Sequence, residues 1–246
     1  MRHRNKKDHS KLILAFTLAI MLLIVIVWWL PQIITYIIIP RHMFNETCSK
    51  EEIVTSDSLN LIKIKNLLTQ EECDALIMAA LDNGLEQSKV QSIQDPTSRT
   101  SYSTWLKKSD ENVEYSQLSS AISKIYTELE DVTHRDINYM EDLNIIHYNI
   151  GQGFGDHKDM FQEGSMEQKV ANGGQRIVSA VFFLNDVEEG GELFFKNREL
   201  MLKPVIGDGL VWMNAENDDN AVHASLPVKQ GNKWVAVTWV RNKLVP

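Results

Sequence analysis

Residues 12–39 contain no charged side chain, and that band decides how the rest of the chain is read. Leu12 to Leu30 is a run of 19 residues in which only Thr17 is polar. As a helix it covers roughly 28 Å, close to the hydrocarbon thickness of a bilayer. Pro31-Gln32 interrupts the run, and Ile33–Ile39 is apolar again. Trp28, Trp29 and Tyr36 sit towards the far end, where amphipathic rings favour a membrane interface. The run exceeds the apolar core of a secretory signal peptide, and no small-residue cleavage site follows it. Because it is apolar on every side, it does not read as the half-buried helix of a globular core. The band is therefore expected to be an uncleaved transmembrane anchor.

Charge then assigns the sides. Residues 1–11 form a basic tip of net charge +4, whereas the whole chain is −8, so everything beyond residue 11 carries −12. The excess of Lys and Arg ahead of the band predicts a cytosolic tip and a body on the opposite face: a single-pass type II membrane protein. The body is then lumenal, in the endoplasmic reticulum or Golgi, or extracytoplasmic. Asn45-Glu46-Thr47 is a glycosylation sequon that fits this placement. The acidic body disfavours nucleic acid as a partner, since such binders cluster Lys and Arg. Two cysteines, Cys48 and Cys73, make neither a disulfide scaffold nor a complete zinc site. A pairing between them stays open, and a small buried Cys73 inside a helix is the preferred reading.

The expected organisation is a tip at 1–11, an anchor at 12–39, a polar stalk at 40–58 and one domain at 59–246. Thr69-x-x-Glu72 is a capping box, and Leu76, Ile77, Ala80 and Leu81 recur at helical spacing, which predicts a helix over 70–83. Leu118, Ile122, Ile125, Tyr126 and Leu129 mark a second helix. A short strand is expected at 99–106. After residue 142, short β-branched and aromatic runs alternate with turn residues, at 143–149, 176–184, 192–196, 200–203, 209–213 and 233–241. No helix-length pattern separates them, so the pattern predicts a mostly-β sandwich or barrel with supporting helices (α+β) rather than a parallel α/β sheet.

His157 and Asp159 are two apart and share a face on an extended segment. Alone that is a weak signal. His223 adds a third donor, and two imidazoles with one carboxylate are the donor set of the non-haem Fe(II) facial triad, with zinc open on ligand type alone. His147 lies within a β-like run and reads as a strand partner rather than a ligand. In the run Lys233–Arg241, period two puts Lys233, Val235, Val237, Trp239 and Arg241 on one face. An inward lysine needs an anionic partner; a lysine in solvent at a strand end is the bland alternative.

From residue 59 to 243 the chain resembles the prolyl 4-hydroxylase family of 2-oxoglutarate/Fe(II) dioxygenases. The matching stretches, in order, are Leu68–Asp74, Arg99-Thr100-Ser101, His147–Gln152, His157-x-Asp159, Gly173–Arg176, Leu184–Glu192, Lys203-Pro204-x-x-Gly207-Asp208, and His223-Ala224-x-x-Pro227-Val228 leading into Lys233-Trp234. The resemblance implies a double-stranded β-helix (jelly roll) and peptidyl-proline 4-hydroxylation coupled to decarboxylation of 2-oxoglutarate to succinate and CO2, with O2 as cosubstrate and ascorbate as an accessory cofactor. It implies that His157, Asp159 and His223 bind Fe(II). It also implies that Lys233 pairs with the distal carboxylate of 2-oxoglutarate, and that Tyr148 donates a hydrogen bond to it. Arg99, Glu141, Arg176 and Trp239 match positions lining the family's peptide groove, and Arg241 stands beside them on the Lys233 face. The expected partners are a proline-containing peptide or protein and the membrane, with a monomeric catalytic domain. The similarity is to short, single-domain members of the family.

Three departures bear on substrate preference. Phe154 stands where many members carry Tyr, Leu193 stands where many carry Thr, and the loop Phe161–Asn172 is particular to this chain. Glu188-Glu189-Gly190-Gly191 reads as a turn between strands. The alternatives are a 2-oxoglutarate hydroxylase of another residue such as lysine, and a cupin-like binding module without turnover.

Overall fold

The computed structural model describes residues 48–54, 60–88, 99–108, 116–161, 173–214 and 219–245. The basic tip, the apolar band, the sequon and most of the loop after Phe161 lie outside them. Among the described residues no helix is long and apolar enough to cross a membrane.

Among the described residues two α-helices and fourteen strands make up the body, with three short 3-10 turns, and Thr47 to Pro246 forms one compact unit. The strands are β1 Ser49–Val54, β2 Asn60–Lys65, β3 Glu86–Gln87, β4 Tyr102–Leu106, β5 Leu143–Tyr148, β6 Phe154–His157 and β7 Arg176–Phe183. They continue with β8 Glu189–Gly190, β9 Leu193–Phe195, β10 Leu200–Leu202, β11 Gly209–Met213, β12 His223–Ser225, β13 Val228–Gln230 and β14 Lys233–Arg241. The helices are α1 Gln70–Asn83 and α2 Ser116–Thr133. An eight-stranded sheet runs β1-β2-β11-β7-β14-β5-β4-β3, and a four-stranded sheet runs β10-β9-β12-β6. All pairings within both sheets are antiparallel. This is the expected mostly-β jelly roll with supporting helices.

The alternation of β14 explains the layering. Trp234, Ala236 and Val240 join a core that also holds Leu76 and Ala80 of α1 and Ile122, Ile125 and Leu129 of α2. Val235 and Val237 belong instead to an inner cluster with Phe183, Leu193, Phe195, Trp212 and Val228. One face of the large sheet is covered by helices, and the other packs towards the small sheet. Each central strand is therefore apolar on both faces, as a strand buried on both sides must be.

The capping box at the start of α1 forms as the sequence predicts. Glu72 N donates to Thr69 Oγ1 at 3.3 Å and Thr69 N donates to Glu72 Oε2 at 2.9 Å. The same carboxylate receives Ser120 Oγ and Lys124 Nζ of α2, at 2.6 Å and 2.9 Å, so one buried acid caps α1 and ties it to α2.

One boundary needs correction. The stalk was expected to extend to residue 58, yet Ser49–Val54 is a strand paired with β2 from Ser49–Lys65 to Val54–Asn60. Its polar composition is that of an edge strand, whose outer hydrogen-bonding groups face water. Cys48 is exposed at the head of this strand, and Cys73 is buried in α1; both are free thiols. Burial pushes the Cys73 thiol up to about 12.

Candidate active site

β6 and β12 are neighbours in the small sheet, and their register puts His157 opposite His223. The two imidazoles lie with ring centroids 4.2 Å apart. Asp159 follows β6 and turns its carboxylate between them. Its Oδ1 is 3.6 Å from His157 Nε2, and its Oδ2 is 3.7 Å from His223 Nε2. One donor atom from each of the three residues lies within 4.8 Å of the others. These separations are small enough for one ion to reach all three.

The tautomers follow from the partners. His157 Nδ1 lies 2.8 Å from the carbonyl of Gly155, and His223 Nδ1 lies 3.0 Å from the carbonyl of Ala221. A carbonyl only accepts, so each Nδ1 carries the proton and each Nε2 keeps its lone pair for a metal. Burial, reinforced by the neighbouring His223, holds His157 well below the usual imidazole range, which keeps it neutral. For Asp159, burial acts to raise the pKa. The nearby His223 and His157, Arg176 and the Ser179 hydrogen bond outweigh it and keep the carboxylate ionised. Two imidazoles and one carboxylate, His223 buried and His157 and Asp159 partly buried, suit a hard-to-intermediate divalent ion with open positions.

Lys233 opens β14 opposite Tyr148 of β5. It is only 2% exposed, so the inward reading of the lysine holds. Its Nζ donates to Ser225 Oγ at 2.6 Å and lies 5.4 Å from the Tyr148 ring centroid. Among the described residues, no carboxylate comes within 4 Å of it. Burial lowers its pKa to about 7, opposed by Glu192. Tyr148 is buried as well, which raises its pKa, opposed by Arg99 and by hydrogen bonds to Ser225 and Ser101. An ammonium, a phenol and a hydroxyl thus converge with no carboxylate within 4 Å of the ammonium among the described residues, which is the chemistry of a carboxylate site.

Around the rim, Arg176 makes a two-pronged ion pair with Glu141, Nε to Oε1 and Nη2 to Oε2, both at 2.7 Å. Its guanidinium lies 3.5 Å from the Trp239 ring centroid. Arg176 reaches this face because the register shifts by one residue there: Val240 pairs with Val178, and Arg241 pairs with Arg176. That bulge skips Ile177 and returns Arg176 to the side of Trp239. Arg241 donates to Glu141 Oε1 at 2.8 Å and to the carbonyl of Gly174 at 2.9 Å, and it is nearly fully buried. It props Glu141 from behind. Gly174 has a φ of 72°, and an added Cβ would fall 1.8 Å from Asn242 Oδ1. Arg99 packs over Phe154, whose ring stacks on His157 at 3.6 Å, and it donates to Ser101 Oγ at 3.1 Å.

The ten residues expected to line the site fall into three touching groups: a metal-type triad, an anion pocket and a rim. His147 stacks on Trp234 at 4.1 Å, as a strand partner and not a ligand. Phe154 supplies an apolar face to His157, and Leu193 is part of the buried inner cluster. Ser225, Ser179, Asn214 and Ser101 were not singled out from the sequence. Ser225 had a readable signal, being two residues past His223 on an extended segment. Ser179 had one too, as a lone polar residue inside an apolar run.

A sequence profile of the 2OG-Fe(II) oxygenase superfamily matches residues 143–241, the span that holds all three metal-type ligands and Lys233. Probable prolyl 4-hydroxylase 10 of Arabidopsis thaliana is 31% identical over 204 residues, covering 72% of this chain and 66% of the relative. Probable prolyl 4-hydroxylase 9 of the same plant is 30% identical over 206 residues, covering 74% of this chain and 68% of the relative. The matches thus span about two thirds of these relatives' own length. Among solved structures, the viral collagen prolyl hydroxylase of Paramecium bursaria Chlorella virus-1, in its 2OG complex, superposes with a TM-score of 0.57 at 28% identity. That superposition covers 74% of this chain and 95% of the viral one.

Proposed function

This chain belongs to the prolyl 4-hydroxylase family of 2-oxoglutarate/Fe(II) oxygenases, and we propose that it hydroxylates proline within a peptide or protein substrate. The observation that carries the reading is the pairing of a His157–Asp159–His223 donor set with a buried Lys233 that has no carboxylate within 4 Å among the described residues. A metal site alone fits many proteins; a metal site beside an anion pocket fits an oxygenase that consumes a keto acid.

His157, Asp159 and His223 would hold Fe(II), and their neutral Nε2 atoms and ionised carboxylate suit it. Lys233, Ser225 and Tyr148 would hold the distal carboxylate of 2-oxoglutarate. When bound, the metal and cosubstrate supply the oxidation: one oxygen atom of O2 goes to proline and the other to succinate, with release of CO2. The chain's own residues position and exclude. The inner apolar cluster of Phe195, Trp212, Val228 and Val235 keeps water from the pocket. Glu141 and Arg176 fix the Trp239 ring at the rim, where a proline-containing strand would lie. Proline is favoured over lysine as the target because the relatives reported above are all named as prolyl hydroxylases.

The apolar band and basic tip support a type II, membrane-anchored protein whose monomeric body lies in the lumen of the secretory pathway. Sealed microsomes test this. The body should resist added protease, and Asn45 should carry glycan; digestion of the body without detergent would overturn the orientation. For the chemistry, full-length chain with Fe(II), 2-oxoglutarate, O2 and ascorbate should form succinate only with a proline-bearing peptide. Oxygen added to another residue type would overturn proline as the target.

A further inference from the structure

Asp159 is held by a second layer that the roles above leave unassigned. Its Oδ2 accepts from Ser179 Oγ at 2.6 Å, and Ser179 Oγ accepts from Asn214 Nδ2 at 2.8 Å. Ser179 is fully buried, and Asn214 is nearly so. The Asn214 backbone N donates to the carbonyl of Ile177 at 2.8 Å, so the relay is fastened at the bulge that also turns Arg176.

The polarity of this chain of bonds is determined. A hydroxyl has one proton to donate, and an ionised carboxylate only accepts. With the Asn214 amide in the opposite orientation, its oxygen would take the Ser179 proton. That would leave two lone-pair-bearing oxygens facing each other at 2.6 Å between Ser179 and Asp159. Only the order Asn214 to Ser179 to Asp159 satisfies all three groups. Asp159 Oδ1, by contrast, receives no hydrogen bond among the described residues and faces His157 Nε2.

We propose that Ser179 and Asn214 are positioning residues that tie back one oxygen of Asp159 and so present the other, Oδ1, as a one-point metal ligand. The proposal rests on the iron-site reading above. Its consequence is coordination number. A carboxylate free to swing can take an ion through both oxygens, and each extra point removes a position. A six-coordinate ion with three protein ligands keeps three positions open, and the cosubstrate and O2 need all of them. The relay guards them by restraining the carboxylate, not by touching the ion.

Metal binding without turnover tests this. Mn(II) is titrated into metal-free full-length chain in detergent, with the free ion read by electron paramagnetic resonance. Ser179→Ala and Asn214→Ala should each weaken binding, by roughly 10- to 100-fold for loss of such an outer partner. Ser179→Thr, which keeps the hydroxyl, should bind more tightly than Ser179→Ala. The double variant should bind no more weakly than Ser179→Ala alone, because Asn214 acts only through Ser179. Thermal melts of the metal-free variants establish folding, and if Ser179→Ala fails to fold, Asn214→Ala carries the test with Ser179 in place. Unchanged Mn(II) affinity in folded variants overturns the proposal, as do fully additive effects. A wild-type chain that binds no Mn(II) would instead sink the iron-site reading itself.

Discussion

Lys233 Nζ donates to Ser225 Oγ at 2.6 Å, across the gap between the two sheets of the jelly roll. Ser225 stands two residues after His223 on β12, so this contact joins the anion pocket to the metal-bearing strand. Outside such a site, burying an ammonium with only a hydroxyl as partner would be a net cost. The missing counter-charge is what the proposed cosubstrate brings.

Lys233→Met should therefore act on 2-oxoglutarate and not on the peptide. A hydrogen bond to a charged group contributes about 1.5–3 kcal/mol, which corresponds to a KM for 2-oxoglutarate raised roughly 10- to 100-fold. The KM for the peptide should change little. Initial-rate kinetics with each substrate varied in turn make the check, and an unchanged 2-oxoglutarate KM would show that the wrong lysine has been assigned.

The same residue sets a pH dependence. Burial holds Lys233 at about 7 in the folded chain against an ordinary 10.5. A carboxylate ligand needs the ammonium form, so binding takes up a proton once the free pocket is neutral. Affinity for 2-oxoglutarate should fall as pH rises above about 7, and the fall should vanish in Lys233→Met. Stability has the opposite slope. Between about 7 and 10.5 the unfolded chain binds the proton that the folded chain has lost, so this residue makes the fold more stable as pH rises through that window. Calorimetric titration and chemical denaturation across this range read the two slopes separately.

Glu141 pairs with Arg176 and Arg241 together. Glu141→Ala would leave two largely buried guanidinium groups without their carboxylate, a loss of about 3–5 kcal/mol when a buried pair is broken. Glu141→Gln keeps an acceptor and should lose less. Urea unfolding should rank wild type above Glu141→Gln and Glu141→Gln above Glu141→Ala.

Thr69→Ala removes the side-chain half of the capping box and should cost about 1 kcal/mol of stability. It lies on the helix layer behind the large sheet, so turnover at saturating substrate should be unchanged. Thermal melts paired with succinate assays check both parts.

Much of this fold could be read from patterning. The helix at 70–83 was legible because Thr69 and Glu72 announce its start and the apolar spacing its face. β11 and β14 were legible because β-branched runs ended at turn residues. The short strands β6, β8, β12 and β13 were not, since each holds at most one large apolar side chain, unlike the equally short Leu-Phe-Phe of β9 and Leu-Met-Leu of β10. β1 was missed for another reason: its sequence, Ser-Lys-Glu-Glu-Ile-Val, is too polar to mark a strand. In the site, His157, Asp159, His223 and Lys233 were legible by residue type and order. Arg176 joining Trp239 depended on a bulge, and although Ser179 stood out as a lone polar residue in an apolar run, its link to Asn214 depended on tertiary register, which one sequence does not display.

The central claim is tested most directly by tandem mass spectrometry on a proline-rich peptide after reaction with the full-length chain, Fe(II), 2-oxoglutarate and ascorbate in air. The account predicts one added oxygen on proline, matched one-to-one by succinate, and neither product with His157→Ala. Oxygen absent from proline but present on another residue, or undiminished turnover in His157→Ala, would contradict it.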